Sequence, residues 1–260
     1  MTSRSVIPIK NAAEIEHMRQ SGHALRSILD ELRGMAQPGV TTREIDVRAG
    51  ELIKAKGGKS PFLNYRGFPG NICVSVNEEV VHGIGGSRRI QYGDVVKIDA
   101  GLILNGWVSD SAITVPVGEI NPAVAKMLVA SEESLMVGIA QARAGNRVHD
   151  ISAAIEQYVV KRGYSVVREF VGHGVGRQLH EEPQVPNYGR AGTGAKLKAG
   201  MTICIEPMVN LGRPEVKILA DGWTVVTTDG KPSCHVEHTV LITEDEPEIL
   251  TCLGTTESKS

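Results

Sequence analysis

Residues 93–118 read Gly93-Asp-Val-Val-Lys-Ile-Asp-Ala-Gly-Leu-Ile-Leu-Asn-Gly-Trp-Val-Ser-Asp-Ser-Ala-Ile-Thr-Val-Pro-Val-Gly118, and this stretch decides the fold. Two apolar runs rich in Val and Ile flank Asn105-Gly106, the dipeptide that most readily supplies the two positive φ angles of a type I′ turn. We therefore predict a β-hairpin with these two residues in its loop. Each strand carries one aspartate, Asp99 in the first and Asp110 in the second.

The two aspartates of this hairpin share one face. Asp99 is expected opposite Ala112 and Asp110 opposite Gly101, which makes the aspartates diagonal neighbours with Cβ atoms roughly 7–8 Å apart. Like charges at that separation are unfavourable in apolar surroundings unless something neutralises them. A salt bridge to Lys97 on the same face, an exposed strand face and a metal site all remain open on the hairpin alone.

The composition is that of an ordinary folded protein. The 260 residues can bury a large core, in one big domain or two smaller ones. Hydrophobic residues make up 41% and charged residues 22%, and the formal net charge is -2. These values disfavour a disordered chain, a coiled coil and a nucleic-acid binder dominated by basic charge.

Neither a targeting segment nor a cysteine framework is expected. Residues 1–16 lack a signal-peptide core, and no run approaches the roughly 18–20 apolar residues of a membrane span, so we predict a cytoplasmic protein without a membrane partner. The four cysteines show no CxxC spacing, which favours reduced thiols packed as small apolar groups and argues against a thiolate zinc site.

Capping signals and periodicity predict helices and strands in a repeated order of two helices followed by strands. Asn11 and Thr41 each open a capping-box pattern, and Pro122 stands at a first helical position. The predicted helices are Ala12–Met35, one from Thr41 to Lys56, one from Asn121 to about Arg143, and one from about Val148 to Lys161. Strand-like segments are Ile72–Val76 and Ser165–Val171.

The same order returns in the second half with matching residues. Gly93–Asp99 parallels Gly200–Glu206, so a carboxylate ends the same apolar strand in each, and the segment around Asp110 resembles the one around Glu237. We predict an internal duplication, with halves of about 10–120 and 121–250. Both lie in a single domain, residues 1–260, with short polar tails.

The duplication would bring four carboxylates to one centre, those of Asp99, Asp110, Glu206 and Glu237. Each alone is more often a solvated strand residue, but four uncompensated buried carboxylates would cost several kcal/mol each. His173, in Gly172-His-Gly-Val-Gly176, lies where glycines allow close backbone approach. Carboxylates with one imidazole favour Mn, Fe, Co or Zn, and the number of donors favours two ions over one.

This ordered set resembles the five metal ligands of type I methionine aminopeptidases: Asp99, Asp110, His173, Glu206 and Glu237. Three further stretches match that family, Cys73-Val-Ser-Val-Asn-Glu-Glu-Val-Val-His-Gly83, Gly172-His-Gly-Val-Gly-Arg-Gln-Leu-His-Glu-Glu-Pro183 and Val185-Pro-Asn-Tyr188. The resemblance covers residues 9–250. It implies an α+β pita-bread fold, in which two related halves of two helices plus antiparallel strands surround one curved central sheet.

The resemblance also implies roles for residues of the site. Two divalent metal ions (Co, Mn, Fe or Zn) would lower the pKa of a water molecule towards neutrality. Glu206 would move the proton from that water to the leaving amine, His180 would stabilise the oxyanion, and His82 would contact the scissile amide nitrogen. Without the resemblance, both histidines would be taken as ordinary solvent-facing residues.

The resemblance places an apolar substrate pocket beside these groups. Tyr65, Phe68, Cys73 and Trp223 match pocket positions of the family, and Phe62 lies in the same loop. Leu179 stands before His180, where many family members carry an aromatic residue. Apart from the resemblance, such aromatics are more often core or loop-anchoring residues.

The function implied is removal of the initiator methionine from nascent polypeptides whose second residue is small. The enzyme is expected to meet these chains at the ribosome, to be a monomer and to carry no nucleic-acid motif. One alternative is an Xaa-Pro aminopeptidase or dipeptidase of the same fold. The stretch Gly106-Trp-Val-Ser-Asp110 resembles a stretch of those enzymes, although the arginine expected after the following threonine is missing here. Another is a catalytically silent pita-bread protein that binds a partner, although such proteins normally lose ligands and all five positions are occupied here.

Overall fold

A computed structural model describes residues 6–252, so the polar tails predicted at the two ends lie partly outside the described residues. Its α-helices are α1 Ala12–Met35, α2 Thr42–Ala55, α3 Pro122–Ile139 and α4 Val148–Lys161. Its strands are β1 Cys73–Val76, β2 Glu79–Val81, β3 Val95–Leu104, β4 Trp107–Pro116, β5 Ser165–Val166, β6 Gly172–Gly174, β7 Glu181–Val185, β8 Thr202–Ile205, β9 Met208–Asn210, β10 Val216–Ile218, β11 Val225–Thr227, β12 Ser233–His235, β13 His238–Leu241 and β14 Glu248–Ile249. Among the helices of this range, none combines the length and apolar character needed to cross a bilayer.

The first two helices begin at the predicted caps. The Asn11 side chain accepts a hydrogen bond from the Glu14 backbone N–H at 3.1 Å, and the Glu14 carboxylate accepts one from the Asn11 N–H at 3.0 Å. Thr41 and Glu44 form the same reciprocal box at the start of α2. These bonds satisfy backbone donors that the helix itself leaves free, which is why the sequence pattern located both starts.

Three predicted boundaries differ from the structure. Helix α3 ends at Ile139 instead of about Arg143, because Arg143 bridges to Thr243 and the Ala144 N–H donates to the Thr243 carbonyl oxygen at 3.0 Å. The strand predicted over Ser165–Val171 is formed only by Ser165–Val166, and the chain then turns into the wall of a cavity. Strand β1 begins one residue later than predicted, at Cys73.

The hairpin β3–β4 has the predicted turn and register. Asn105 and Gly106 have φ angles of 52° and 77°, as a type I′ turn requires. The ladder pairs Asp99 with Ala112 and Gly101 with Asp110. Both aspartates therefore lie on one face.

The strands predicted as one curved sheet form four hydrogen-bonded sheets within the described range. Their orders are β1-β3-β4, β10-β11-β2, β12-β9-β5 and β14-β13-β8-β6-β7. The first and last are linked where the Glu237 N–H donates to the Ala112 carbonyl oxygen at 3.0 Å. The carboxylate-bearing strands of the two halves consequently lie side by side.

Each half contributes its own core. One cluster joins α1 and α2 to the hairpin through residues such as Leu29, Ile45 and Ile98, and another joins α3 and α4 to the second-half strands through residues such as Met127 and Ile151. This arrangement of helices on antiparallel strands is an α+β fold, and it leaves the site between the halves.

The Lys97 side chain links the two halves by hydrogen bonds. Its side chain is 1% exposed, and its Nζ donates to the carbonyl oxygens of Asn77 at 2.7 Å and Ser233 at 3.2 Å. Burial lowers the pKa of this amine to about 8. The hydrogen bonds direct Lys97 away from Asp99, so the salt bridge left open by the sequence is not formed.

Candidate metal centre

The five predicted ligands line one cavity of about 300 Å³. Asp99 comes from β3, Asp110 from β4 and His173 from β6, while Glu206 follows β8 directly and Glu237 links β12 to β13. Strand ends and neighbouring strand faces of both halves thus supply the site. Neither Glu206 nor Glu237 is a solvated strand residue, since their side chains are 13% and 2% exposed.

Four of these residues lie in close contact. The His173 Nε2 lies 3.5 Å from Glu206 Oε1 and 3.8 Å from Asp110 Oδ2. Ligand atoms of Asp110, His173 and Glu237 lie within 4.8 Å of one another, and the sulfur of Cys204 belongs to the same group. Asp99 lines the same cavity outside this tight group.

Burial raises the pKa of the four predicted carboxylate ligands, and repulsion between carboxylates adds to the shift at Asp110, Glu206 and Glu237. Burial raises the pKa of Asp99 to about 6, with the nearby His235 opposing that shift. The pKa of Asp110 is raised well above its usual range by burial first, and then by Glu237, Asp99 and Glu206. The pKa values of Glu206 and Glu237 are raised in the same way. Negative charge at these positions therefore needs a cation.

The donor atoms fit a divalent metal ion. Asp99 Oδ1, Asp110 Oδ1 and Glu237 Oε1 are buried and have no hydrogen-bond partner among residues 6–252. Buried acceptors are normally satisfied, so three such oxygens in one cavity are the observation expected of ligand positions. Carboxylate oxygens with an imidazole nitrogen suit Mn, Fe, Co and Zn.

Hydrogen bonds behind the ligands hold them in place. The Asp110 N–H donates to Thr239 Oγ1 at 3.1 Å, and that hydroxyl donates to the Asp110 carbonyl oxygen at 2.7 Å. The Ser111 hydroxyl donates to the Glu237 carbonyl oxygen at 2.7 Å. His173 Nδ1 lies 2.9 Å from the Gly174 carbonyl oxygen, which can only accept, so the proton is on Nδ1 and the Nε2 lone pair faces the carboxylates. Burial lowers the pKa of His173 to about 3, which keeps that lone pair free.

The apolar end of the cavity contains all the predicted pocket residues. Phe62, Phe68, Cys73 and Leu179 are buried, and Trp223 packs edge-on against Phe68 with ring centroids 5.1 Å apart. Together with Tyr65 they form the lining beside the predicted metal ligands.

The two histidines predicted to contact the peptide bond, His82 and His180, both line this cavity. His180 is exposed, and its Nδ1 lies 2.7 Å from the Tyr65 hydroxyl. His82 is half-buried with a φ of 59° and packs edge-on against Phe170 at 5.3 Å between centroids. Burial lowers the pKa of both imidazoles, that of His82 to about 4, so both are neutral at pH 7.

His235 lines the cavity and was not predicted from the sequence. It is 1% exposed, neither ring nitrogen has a hydrogen-bond partner in the described part of the chain, and Nε2 lies 3.7 Å from Glu206 Oε2. The available signal was strand alternation, because His235 precedes Glu237 by two residues. Further lining residues missed by sequence reasoning are Arg66, Val81, Phe170, Val171 and Met208.

Relatives named methionine aminopeptidase cover 95% of the chain. The sequence profile of metallopeptidase family M24 matches residues 16–244. A protein of Clostridium perfringens named methionine aminopeptidase is 50% identical over 248 residues, which cover 95% of this chain and 100% of that protein. A protein of Bacillus subtilis named methionine aminopeptidase 1 is 50% identical over 246 residues, covering 95% and 99%.

Solved structures agree with these relatives. The crystal structure of methionine aminopeptidase from Rickettsia prowazekii has a TM-score of 0.94 at 38% identity, covering 95% of this chain and 100% of that one. A prolidase from Pyrococcus horikoshii has a TM-score of 0.76 at 22% identity and shares the fold alone, with 63% of its chain covered. The Xaa-Pro alternative is therefore less well supported. The chain belongs to metallopeptidase family M24 and, within it, to the methionine aminopeptidases.

Proposed function

We propose that this metal-dependent aminopeptidase removes the N-terminal methionine of polypeptides whose second residue is small. The observation that carries the proposal is an apolar pocket that opens onto a cluster of buried, unpartnered carboxylate oxygens. The pocket suits an unbranched thioether side chain, and the cluster lies where the first peptide bond would be. A cavity of about 300 Å³ accommodates one side chain beside the predicted ligands, in keeping with action at the chain end.

The proposed ligands are Asp99, Asp110, His173, Glu206 and Glu237, and five donors from both halves support two cations in preference to one. When bound, the cations would supply a water acidic enough to attack at neutral pH and would polarise the scissile carbonyl. The unpartnered oxygens of Asp99, Asp110 and Glu237 support this assignment.

Glu206 is proposed to move the proton. Its side chain lies at the end of β8 facing the cavity, and burial together with Asp99 raises its pKa well above the usual range. A carboxylate with raised proton affinity can take the proton of the attacking water and give it to the leaving amine. The 13% exposure of this side chain leaves it reachable from the cavity.

His180 and His82 are proposed to contact the peptide bond. If the Tyr65 hydroxyl donates to His180 Nδ1, the proton of that imidazole is on Nε2, which can donate to the carbonyl oxygen as negative charge develops. His82 would contact the scissile amide nitrogen by accepting a hydrogen bond from its N–H. Both roles need a neutral imidazole, in agreement with the lowered pKa of each.

The substrate side chain is proposed to bind among Phe62, Tyr65, Phe68, Cys73, Leu179 and Trp223, with His82 and His180 at the opening. Van der Waals contact with aromatic edges and the Cys73 thiol suits the polarisable sulfur of methionine. Leu179 is smaller than the aromatic residue of many family members, which supports a pocket with slightly more room beside His180.

The proposal extends to organisation and setting. Residues 1–260 are proposed to form one catalytic domain of two related halves, and one chain contributes all five ligands, which supports a monomer. The substrates are proposed to be N-termini of nascent polypeptides met at the ribosome in the cytoplasm.

A two-peptide assay tests the proposed reaction. Purified protein loaded with Mn²⁺ or Co²⁺ is given Met-Ala-Ser and Ala-Pro peptides, and free amino acids are quantified by mass spectrometry. We expect methionine release from the first peptide and none from the second. Release only from Ala-Pro would support the Xaa-Pro alternative and contradict the proposal.

A further inference from the structure

Cys204 lies among the proposed metal ligands, although its sequence context contains no metal-binding motif. It lies in β8 and precedes Glu206 by two residues, close to the point where that strand ends. Its sulfur, oxygens of Asp110 and Glu237, and a nitrogen of His173 all lie within 4.8 Å of one another. The thiol is thus one of four donors grouped around a common centre.

The sulfur makes only weak hydrogen bonds, with the Thr239 hydroxyl and with the Glu237 carboxylate. Cys204 is 0% exposed, and its Sγ lies 3.7 Å from Thr239 Oγ1. The Thr239 hydroxyl donates its proton to the Asp110 carbonyl oxygen at 2.7 Å, so that proton is not directed at the sulfur.

The carboxylate oxygens of Asp110 and Glu237 near the sulfur need a positively charged partner. Asp110 Oδ1 and Glu237 Oε1 are buried and have no hydrogen-bond partner within residues 6–252. Their residues are 4% and 2% exposed, so water does not compensate them freely. Two unsatisfied oxygens, a nitrogen lone pair and a sulfur therefore converge, which points to a cation held partly by sulfur.

We propose that Cys204 gives the centre a second binding mode, in which a thiophilic cation such as Zn²⁺ or Cd²⁺ is held by Cys204, Asp110, His173 and Glu237. Donors around a tetrahedral zinc with bonds of about 2.0–2.3 Å lie roughly 3.3–3.8 Å apart, so the group, whose atoms lie within 4.8 Å of one another, would contract around the ion. The thiol proton passes to solvent as the sulfur coordinates. Oxygen-preferring cations such as Mn²⁺ leave the sulfur aside.

This mode stops the reaction. Four protein donors fill a tetrahedral shell, as in structural zinc sites, whereas catalytic sites keep a position for water or substrate. A cation held by Cys204, Asp110, His173 and Glu237 together therefore inhibits the enzyme, whereas Zn²⁺ held by the carboxylates and the imidazole alone keeps a position for water. The inference rests on the proposed metal centre, and it names the class of cation that blocks it.

The test is a Cd²⁺ titration of the chelator-treated, full-length protein, followed by the ultraviolet charge-transfer absorbance of a thiolate bound to cadmium. Four variants each replace one thiol: C73S, C204S, C234S and C252S. We expect wild type to saturate at one Cd²⁺ per chain, and C204S alone to lose the absorbance and to bind Cd²⁺ more than roughly tenfold less tightly. C234S is the matched control, because Cys234 is equally buried and its thiol donates to Thr114 Oγ1 at 3.4 Å.

The outcomes are distinct. Absorbance retained in C204S, absorbance lost in C73S instead, or none in wild type overturns the assignment. Circular dichroism checks each variant, and C204A replaces C204S in the same titration if the serine variant does not fold. Failure of the proposed function is separate, since Mn²⁺-loaded wild type would then release no methionine from Met-Ala-Ser whatever the Cd²⁺ absorbance shows.

Discussion

Asp110 combines a functional requirement with a cost to stability. It is 4% exposed, and burial, followed by the charges of Glu237, Asp99 and Glu206, raises its pKa well above the usual range. The fold nevertheless fixes its backbone on both sides through the Thr239 hydroxyl. A carboxylate held so firmly in an unfavourable place is typical of a ligand position.

Replacing Asp110 by Asn should separate activity from stability. We expect Asp110→Asn to lower kcat/KM for Met-Ala-Ser by more than roughly 100-fold, because a proposed metal ligand is lost. Removing only a residue that hydrogen-bonds to a ligand typically lowers activity by about 10–100-fold, so losing the ligand itself should cost more. The chelator-treated variant should melt no lower than chelator-treated wild type at pH 7.5, because the amide carries no buried charge. Asp30→Asn is the control, since Asp30 pairs with Arg26 at 2.7 Å on the surface of α1. Wild-type activity in Asp110→Asn would remove the ligand assignment.

The Tyr65 hydroxyl offers a finer test of the proposed oxyanion contact. Tyr65→Phe removes the group 2.7 Å from His180 Nδ1 but keeps the ring in the pocket. We expect kcat to fall by about tenfold, less than the loss of an oxyanion donor itself, with KM little changed. Steady-state kinetics with Met-Ala-Ser measure both values. Tyr92→Phe, at a side chain 67% exposed, should change neither; a raised KM with unchanged kcat for Tyr65→Phe would mean that the hydroxyl only binds substrate.

At the scale of elements, the hairpin turn determines where Asp99 and Asp110 meet. Gly106 has a φ of 77°, and a Cβ there would lie 3.1 Å from Arg177 Nη1. Gly106→Ala should therefore reduce the free energy of unfolding by about 1–2 kcal/mol. Gly34→Ala is the matched control, because Gly34 lies within helix α1 and a Cβ added there would meet nothing within 4 Å, so the change should add about 0.5–1 kcal/mol. Urea unfolding followed by circular dichroism measures both, and equal effects would contradict this account of the turn.

Local chemistry made the hairpin and the capped helices predictable. The Asn105-Gly106 turn, the two capping boxes and the bounds of α1 and α4 depend on residues close in sequence. The end of α3 was not predictable, because it depends on the contact of Arg143 with Thr243, a hundred residues along the chain. Strand β5 is short, because its pairing with β9 is regular only at Ser165 and Val166.

The candidate site was likewise predictable from the sequence only in part. The carboxylates were found because each recurs at the same place in a repeated element. Cys204 and His235 belong to no spacing pattern, and only their positions two residues before Glu206 and Glu237 indicate the face on which they lie. Their importance depends on distances across strands, such as the 3.7 Å from His235 Nε2 to Glu206 Oε2, which a single sequence does not contain.

At the scale of the whole molecule, the site gathers acidic groups whose pKa values are raised, and their protonation is linked to folding. A carboxyl group with a raised pKa in the folded state contributes its full stability below its unfolded pKa and loses it as pH rises through the folded value. Asp99, with a pKa of about 6, loses its contribution to stability between about pH 4 and 6, whereas Asp110, Glu206 and Glu237 continue to lose theirs at higher pH.

The histidines change the folding stability in the opposite direction, and only at acidic pH. The pKa values of His82 and His173 are lowered to about 4 and about 3, so their contribution increases with pH up to the unfolded value near 6.5 and is constant above it. Lys97, with a pKa of about 8, adds stability only above that pH. The interval from pH 6.5 to 8 therefore isolates the carboxyl groups of the site.

Metal removal should consequently make stability depend on pH in that interval. In chelator-treated protein we expect the melting temperature to fall from pH 6.5 to pH 8, because ionisation of the buried carboxyl groups is unfavourable in the folded state alone. Saturating Mn²⁺ should raise the melting temperature and flatten the slope, because a cation bound to the folded state compensates the charges. Asp110→Asn without metal should show a shallower slope than wild type. Differential scanning calorimetry over this range measures all three, and a slope unchanged by Mn²⁺ would mean that the cation binds away from these carboxylates.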